Sequence, residues 1–341
     1  MTVDVHLLLK GMKMLDGWEL RLYDTVRDGV AVMDCSAWGR VRMAGEDRVD
    51  FLHRMSTNEV RDLAPGMGRR TVLTSDIGRI VAVVTAYALP DHLLLVTEPG
   101  GAERVIGHMG RYVFFRDRVE FTDATDETGM LWLCGRRAVA FVKGFVGPAI
   151  ADLGTDTFIE TELDGVATVM VRTEELGLGG VTLFVDRAAT EPLLERLLDA
   201  GVQLMDASVY DVLRVEAGQP IYGREISEEF NPLEAGLKPM ISFTKGCYIG
   251  QEVVARLDTY DKVKQQLVGV RLERLPVAED RPALMSGDDA VGFLTSWVQS
   301  PAHGPIALGY VLSKHLEPEM AVQAVDTEGH ILGQVVDLPF S

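Results

Sequence analysis

Cys247 is the side chain of this 341-residue sequence best placed for nucleophilic chemistry. It stands in Lys245-Gly-Cys-Tyr-Ile-Gly-Gln-Glu252. There an apolar run ends at Lys245, two glycines bracket Cys247 and Tyr248, and helix-like sequence begins near Gln251. A thiol on such a turn between a strand and a helix start would sit near helix N-terminal amides and the Lys245 ammonium. Both favour the thiolate, the reactive form. The competing reading is a small buried hydrophobe, and the residues alone leave both open. The other two cysteines, Cys35 and Cys134, are remote in sequence and no C-x-x-C pair exists. A disulfide framework and a local zinc or iron–sulfur ligand set are therefore not expected.

The next candidate is Glu216, at the C-terminal end of a helix read over Asp206 to Gly218. Asp206 or Ser208 can cap that helix, Val209, Val212, Leu213 and Val215 line its buried side, and Gly218 with Pro220 stops it. A carboxylate there gains nothing from the helix dipole, so it either accepts hydrogen bonds from a ligand or is simply solvated. His53 reads as a solvated or half-packed histidine on a helix. Leu176-Gly-Leu-Gly-Gly180 is glycine-dense but feeds a strand, whereas a phosphate cradle would feed a helix.

The totals restrict what these groups can serve. Apolar content of 47% with 25% charged residues marks a globular chain, and its length suggests two or three domains. A net charge of −18 disfavours direct nucleic-acid binding and anionic membranes. No window approaches the roughly 18 apolar residues a span requires. Met1 to Lys10 lacks a basic leader pattern, so a cytoplasmic location is expected.

Elements that would position these residues follow in order. Strand segments at 29–43 precede a helix at 45–55, a hairpin of strands 70–74 and 80–87, a strand at 93–97, a helix at 101–113 and a strand at 118–122. A similar order recurs: strand 131–133, helix 137–145, strands 157–162, 166–172 and 181–185, and helix 190–200. Antiparallel hairpins with interposed helices indicate α+β layers. Residues 219–238 lack regular pattern. From 264 onward, short alternating strands at 266–272, 290–298, 306–312, 320–324 and 330–336 read as a small antiparallel barrel or sandwich, with a boundary near 263.

With these pieces in place, Lys245-Gly-Cys-Tyr-Ile-Gly-Gln-Glu252 resembles the K-G-C-[FY]-x-G-Q-E signature of the YgfZ family, folate-binding relatives of the glycine cleavage T-protein. Gly45-x-x-Arg-x-x-Phe-Leu-His53, Ser56-Thr-Asn58, Gly78-Arg-Ile80, Arg214-Val-Glu216, Tyr222-Gly223 and Asn231-Pro-Leu-Glu-Ala-Gly236 resemble the wider T-protein superfamily. The resemblance implies a folate-binding core of ferredoxin-like α+β units around a channel, plus a C-terminal antiparallel β-barrel. On this reading residues 1–125 and 205–262 form the core, 126–204 a second unit and 263–341 the barrel. It also implies a tetrahydrofolate site in the channel, with Glu216 on the pterin and Tyr210 as a looser ring contact. Arg256 and Lys245 would then suit the anionic tail.

T-proteins carry two carboxylates in the hairpin strand, one of them the key acid of methylene transfer, and here Ala82 and Val83 stand there. Three functions follow as expectations. The first is a folate-binding factor for assembly or repair of iron–sulfur enzymes, tRNA-modifying ones included, with Cys247 as functional thiol. The others are an aminomethyl or methyl transferase using another acid, and a folate-binding interaction module without chemistry. Cys247 is expected to be exposed near the channel mouth.

Overall fold

The computed structural model describes residues 15–277 and 280–341. The leader reading at Met1 to Lys10 lies outside the described residues. Helix α1 (Gly17–Asp28) opens the described chain on a capping box. Asp16 accepts from the Trp18 and Glu19 amides, and the Glu19 side chain accepts from the Asp16 amide.

Strands β1 (Ala31–Asp34) and β2 (Trp38–Ala44) are separated by a short turn that sends them to different sheets. Helix α2 (Arg48–Met55), the hairpin β3 (Gly68–Thr74) and β4 (Ile80–Ala88), β5 (Leu93–Pro99), α3 (Gly101–Gly110) and β6 (Glu120–Asp123) follow the expected order. Their strands form one antiparallel sheet, β3-β4-β5-β2-β6. Apolar side chains at alternate positions, such as Val41 and Met43 of β2, bury one face against Phe51, Leu52 and Val105 of the two helices.

The second sheet takes β7 (Thr128–Cys134), β8 (Phe158–Leu163), β9 (Val166–Glu175) and β10 (Leu178–Asp186). Helices α4 (Ala138–Val146) and α5 (Arg187–Asp199) precede the two-residue strand β11 (Gln203–Leu204) and helix α6 (Ala207–Glu216). The sheet order is β11-β1-β7-β10-β9-β8. Strand β1 pairs antiparallel with β7 and parallel with β11, so the second sheet crosses the division expected at residues 125 and 204.

The C-terminal strands close into a barrel of order β12-β15-β14-β13-β16-β17. These are β12 (Gln265–Leu272), β13 (Ala283–Ser286), β14 (Asp289–Ser300), β15 (Gly304–Leu312), β16 (Ala321–Asp326) and β17 (Gly329–Val336). Five of the barrel strands stand where alternation suggested, and β13 is an addition too short to alternate visibly.

Core and barrel are joined through α6. Arg214, with no exposed surface, donates from Nε to Asp211 Oδ1 at 2.6 Å, from Nη1 to Glu225 Oε2 at 3.0 Å and from Nη2 to Ser296 Oγ at 2.6 Å. Glu225 in turn accepts from Thr295 Oγ1 at 2.8 Å and Ser296 Oγ at 2.5 Å on β14. Removing one member of such a pair leaves an uncompensated buried charge, at a cost of about 3–5 kcal/mol. Arg214→Met is therefore expected to lower unfolding free energy by that amount in urea titrations. Pairing it with Glu225→Leu should recover a large part of the loss.

Candidate functional site

Both sheets, α6 and the irregular segment 219–240 wall a cavity of about 480 Å³. Alternation along the strands turns Val83 and Thr85 of β4, Thr173 and Glu175 of β9 and Trp132 of β7 toward it. The wall is mainly aromatic and aliphatic. Trp132 stands edge-on to Tyr210 at 6.4 Å and 88°, and Tyr87 stands edge-on to Phe158 at 6.1 Å and 88°. Such side chains suit the faces of a flat ring system.

The polar part of the wall is concentrated at one side. Strand β9 reaches Glu175 before a two-residue turn at Leu176 and Gly177, whose φ values of 56° and 69° give the twist that hairpins favour. There Glu175 pairs with Arg70 of β3, whose Nε also lies 3.8 Å from Asp156. Burial pushes the Glu175 carboxyl above the usual carboxylate range, while Arg70 pulls it back. Asp156 is raised for the same reason. A carboxyl shifted toward neutrality inside an apolar cavity is the kind of group that exchanges protons with a ligand.

Two lining side chains carry buried donors, Trp132 Nε1 and Thr173 Oγ1, that have no hydrogen-bond partner among the described residues. A Cβ on Gly180 would stand 2.7 Å from that indole nitrogen and 3.1 Å from that hydroxyl, so the glycine makes room for both. Unsatisfied buried donors are uncommon in folded proteins and point to a missing partner. The third cavity feature is inert: Cys35 is buried, and desolvation keeps its thiol protonated.

Strand β4 also settles where Ala82 and Val83 face. Ala82 packs into the core beneath the sheet, and Val83 lines the cavity. The carboxylate nearest to Val83 through hydrogen bonds is Glu98 at the end of β5. Thr97 Oγ1 donates to the Val83 carbonyl at 3.0 Å and to Glu98 Oε2 at 2.5 Å. Glu98 also pairs with Arg104, whose guanidinium lies 3.6 Å above the Tyr222 ring.

Of the residues expected at a folate site, Tyr210 lines the cavity and Glu216 does not. Six positions further along a helix turn a side chain about 240° around the axis, so Glu216 leaves from another face of α6. Its carboxylate accepts from Tyr23 Oη at 2.8 and 3.0 Å and from Ser300 Oγ at 2.5 Å. Burial and the Glu216 charge push the Tyr23 hydroxyl up to about 12. Glu216 therefore clamps α1 and the barrel onto α6. Arg256, in the last turn of helix α7 (Gln251–Thr259), is exposed and outside the cavity wall.

Cys247 is exposed, as expected, and is not among the lining residues of the cavity. Its turn packs instead on the β3–β4 hairpin: Thr74 Oγ1 donates to the Ile249 carbonyl at 2.5 Å. Gly250, at φ 83°, sits where a Cβ would lie 2.4 Å from the Ser75 carbonyl oxygen. No strand precedes the turn, and α7 begins only at Gln251.

Lys245 does not serve the thiol. Its ammonium donates to the carbonyls of His53, Ser56 and Asn58 at 2.8, 2.7 and 2.6 Å, in the last turn of α2 and just beyond it. His53 is itself buried rather than solvated, with Nδ1 2.9 Å from Glu59, and burial together with Lys245 lowers its pKa.

Lys245 thus anchors the Cys247 turn, and Lys245→Met, which strands three carbonyls, should cost about 1–3 kcal/mol in chemical unfolding. Burial pulls the ammonium down to about 8 from its ordinary value of 10.5. Between those values the unfolded chain holds more protons, so wild-type stability relative to Lys245→Met should rise with pH across that window. A difference that falls there would overturn the assignment.

Comparison with known proteins agrees with this architecture. Residues 18–245 match the GCVT N-terminal domain and residues 265–341 the glycine cleavage T-protein C-terminal barrel domain. The chain is 32% identical over 289 residues to a putative chloroplastic transferase of Arabidopsis thaliana, covering 84% of this chain. It spans 66% of that relative's length, just under two thirds. It is 30% identical over 342 residues to an aminomethyltransferase of Rubrobacter xylanophilus, covering 97% of this chain and 91% of that protein. The crystal structure of the glycine cleavage system aminomethyltransferase T from Bartonella henselae has the same fold, with a TM-score of 0.84 at 21% identity, covering 97% and 91% of the two chains. A six-stranded closed barrel behind an α+β core of two sheets, matched over both of its parts, places this chain in the glycine cleavage T-protein family.

Proposed function

We propose that this protein holds a tetrahydrofolate in its central cavity and assists the assembly or repair of iron–sulfur enzymes, tRNA-modifying ones included, with Cys247 as its functional thiol. The observation that carries the folate part is the ring-sized cavity with one polar side. The Glu175 carboxyl and the donors of Trp132 and Thr173 can complement the mixed edge of a pterin, and Tyr210 and Trp132 offer apolar contact. Arg70 orients Glu175, and Glu216 has no part in it. Bound tetrahydrofolate would supply a carrier of one-carbon units.

Val83 favours binding over T-protein chemistry. A valine can neither donate a proton nor stabilise a developing cation, and general acid–base help contributes roughly 10²–10⁴-fold to such steps. The octapeptide around Cys247, with its exposed sulfur, supports the iron–sulfur reading. A second reading, a tetrahydrofolate-dependent one-carbon transferase, is favoured by Glu98, a carboxylate in the cavity wall on the strand beside Val83.

Calorimetric titration with tetrahydrofolate tests the site. Glu175→Gln should weaken binding about 10–100-fold, a loss of roughly 1.4–2.7 kcal/mol, while Glu216→Gln should leave affinity within about twofold. Equal affinities for wild type and Glu175→Gln, or loss confined to Glu216→Gln, would overturn the assignment.

The two functional readings separate in other assays. Cys247→Ser should keep folate affinity yet fail to restore cluster-enzyme activity in a deletion strain, and full restoration would remove the thiol role. Robust aminomethyl transfer that disappears in Glu98→Gln would establish the second reading instead.

A further inference from the structure

Outside the central cavity, and sharing none of its lining residues, lies a groove of about 710 Å³. One face of α3 supplies Glu103, Arg104, Gly107, His108 and Arg111, whose spacing of three and four residues aligns them. The opposite bank is the β3–β4 hairpin tip with Asp76 and Arg79, and Glu228 from the irregular segment closes one side.

Hydrogen-bonding capacity in this groove is lopsided. Arg79 donates to the Glu229 carbonyl at 2.6 Å and lies 3.6 Å from Glu234. Arg104 donates to the Val81 carbonyl at 3.0 Å, pairs with Glu98 and stacks on Tyr222. Asp76, Glu103 and Glu228, by contrast, make no hydrogen bond or ion pair among the described residues. Arg111, at the exposed end of α3, is the remaining cation of the wall.

His108 gives an independent sign of a ligand. The ring is 5% exposed, and Nε2 has no hydrogen-bond partner among the described residues. Burial, the largest influence, and Arg111 favour the neutral ring, against the Thr74 backbone and Glu228, which favour the charged one. A neutral imidazole that donates from Nδ1 keeps an acceptor lone pair on Nε2. Three unpaired carboxylates and one lone pair form an acceptor array too dispersed for a metal: no group of three His, Cys, Asp or Glu among the described residues could hold one.

We propose that this groove is a second ligand site, which takes a primary alkylammonium such as an aliphatic polyamine. Each –NH₃⁺ carries three donors and no acceptor, which matches carboxylates and an imidazole lone pair, and carboxylates on three different elements of the wall suit cations separated by methylene spacers. The site stands apart from the folate reading, because its residues do not line the central cavity.

Spermidine titrated into the full chain by calorimetry at physiological ionic strength tests this. One site per chain is expected, weakened at least tenfold by Glu228→Gln, by Glu103→Gln and by His108→Gln. Glu160→Gln, an exposed change on β8, should leave binding as in wild type. Nα-acetyl-lysine amide as a second probe identifies the source: binding of it at this site points to a lysyl side chain of a partner, and binding of spermidine alone to the free amine. Absence of binding by both probes, or uptake at several equivalents that all variants share, would overturn the proposal. The latter outcome is counterion association with a −18 chain.

Discussion

The buried pair of Arg214 and Glu225 is the constraint on which the placement of everything else depends. Two charges taken out of water are tolerated only when their remaining hydrogen-bonding capacity is met. Here it is met from several directions, because Asp211, Ser296, Thr295 and the Ile221 amide all contribute. Those partners belong to α6, to barrel strand β14 and to the segment after α6. The pair therefore fixes three separate parts of the chain at one point, and the irregular 219–240 segment becomes a fixed wall. Ring packing reinforces it: Phe230 stacks on Tyr310 at 4.2 Å and 7°, and the Tyr310 hydroxyl donates to the Glu225 carbonyl at 2.7 Å.

Helix α6 consequently serves three directions at once. Tyr210 faces the cavity, Arg214 faces the barrel and Glu216 faces α1. With its carboxylate held by Tyr23 and Ser300, Glu216 lies outside the cavity wall, and the acid in the cavity sits at a hairpin end on the second sheet. The motif Arg214-Val-Glu216 is then a structural joint. Its residues are of the types that bind ligands because the same charged hydrogen bonds that grip a ligand also grip neighbouring elements.

Much of the fold was legible in the sequence, for local reasons. The α+β order, the β3–β4 hairpin, α6 and the barrel all announce themselves through apolar period, caps and turn residues that act over a few neighbours. Helix α1, whose Asp16 and Glu19 have the capping-box spacing, was not among the expected elements. Two residues of the expected set were placed rightly: Tyr210, which lines the cavity, and Cys247, whose exposure between its glycines follows from local chemistry. Glu175 was missed because β9 extends three residues beyond the apparent apolar run and ends in a hairpin turn read as a loop. Lys245 was misread because two residues in sequence are not a contact in space. Its ammonium points back to carbonyls nearly two hundred residues earlier. Such long-range satisfaction leaves no mark on local pattern.

The positions of cavity and thiol also limit how they can act together. Cys247 is not part of the cavity wall, so a ligand seated against Glu175 does not by that contact reach the sulfur. The β3–β4 hairpin touches both. Arg70 and Val83 line the cavity at one end, while Thr74, Ser75 and Gly78 support the Cys247 turn and α7 at the other. Energetic coupling between two sites needs a physical element that each of them biases. A hairpin anchored by the Thr74–Ile249 bond and by the Arg70–Glu175 pair is such an element, and it is rigid in the sense that both of its ends are held. A change in how tightly that hairpin is held would then alter order and exposure at Cys247 without any contact between the cavity and the sulfur.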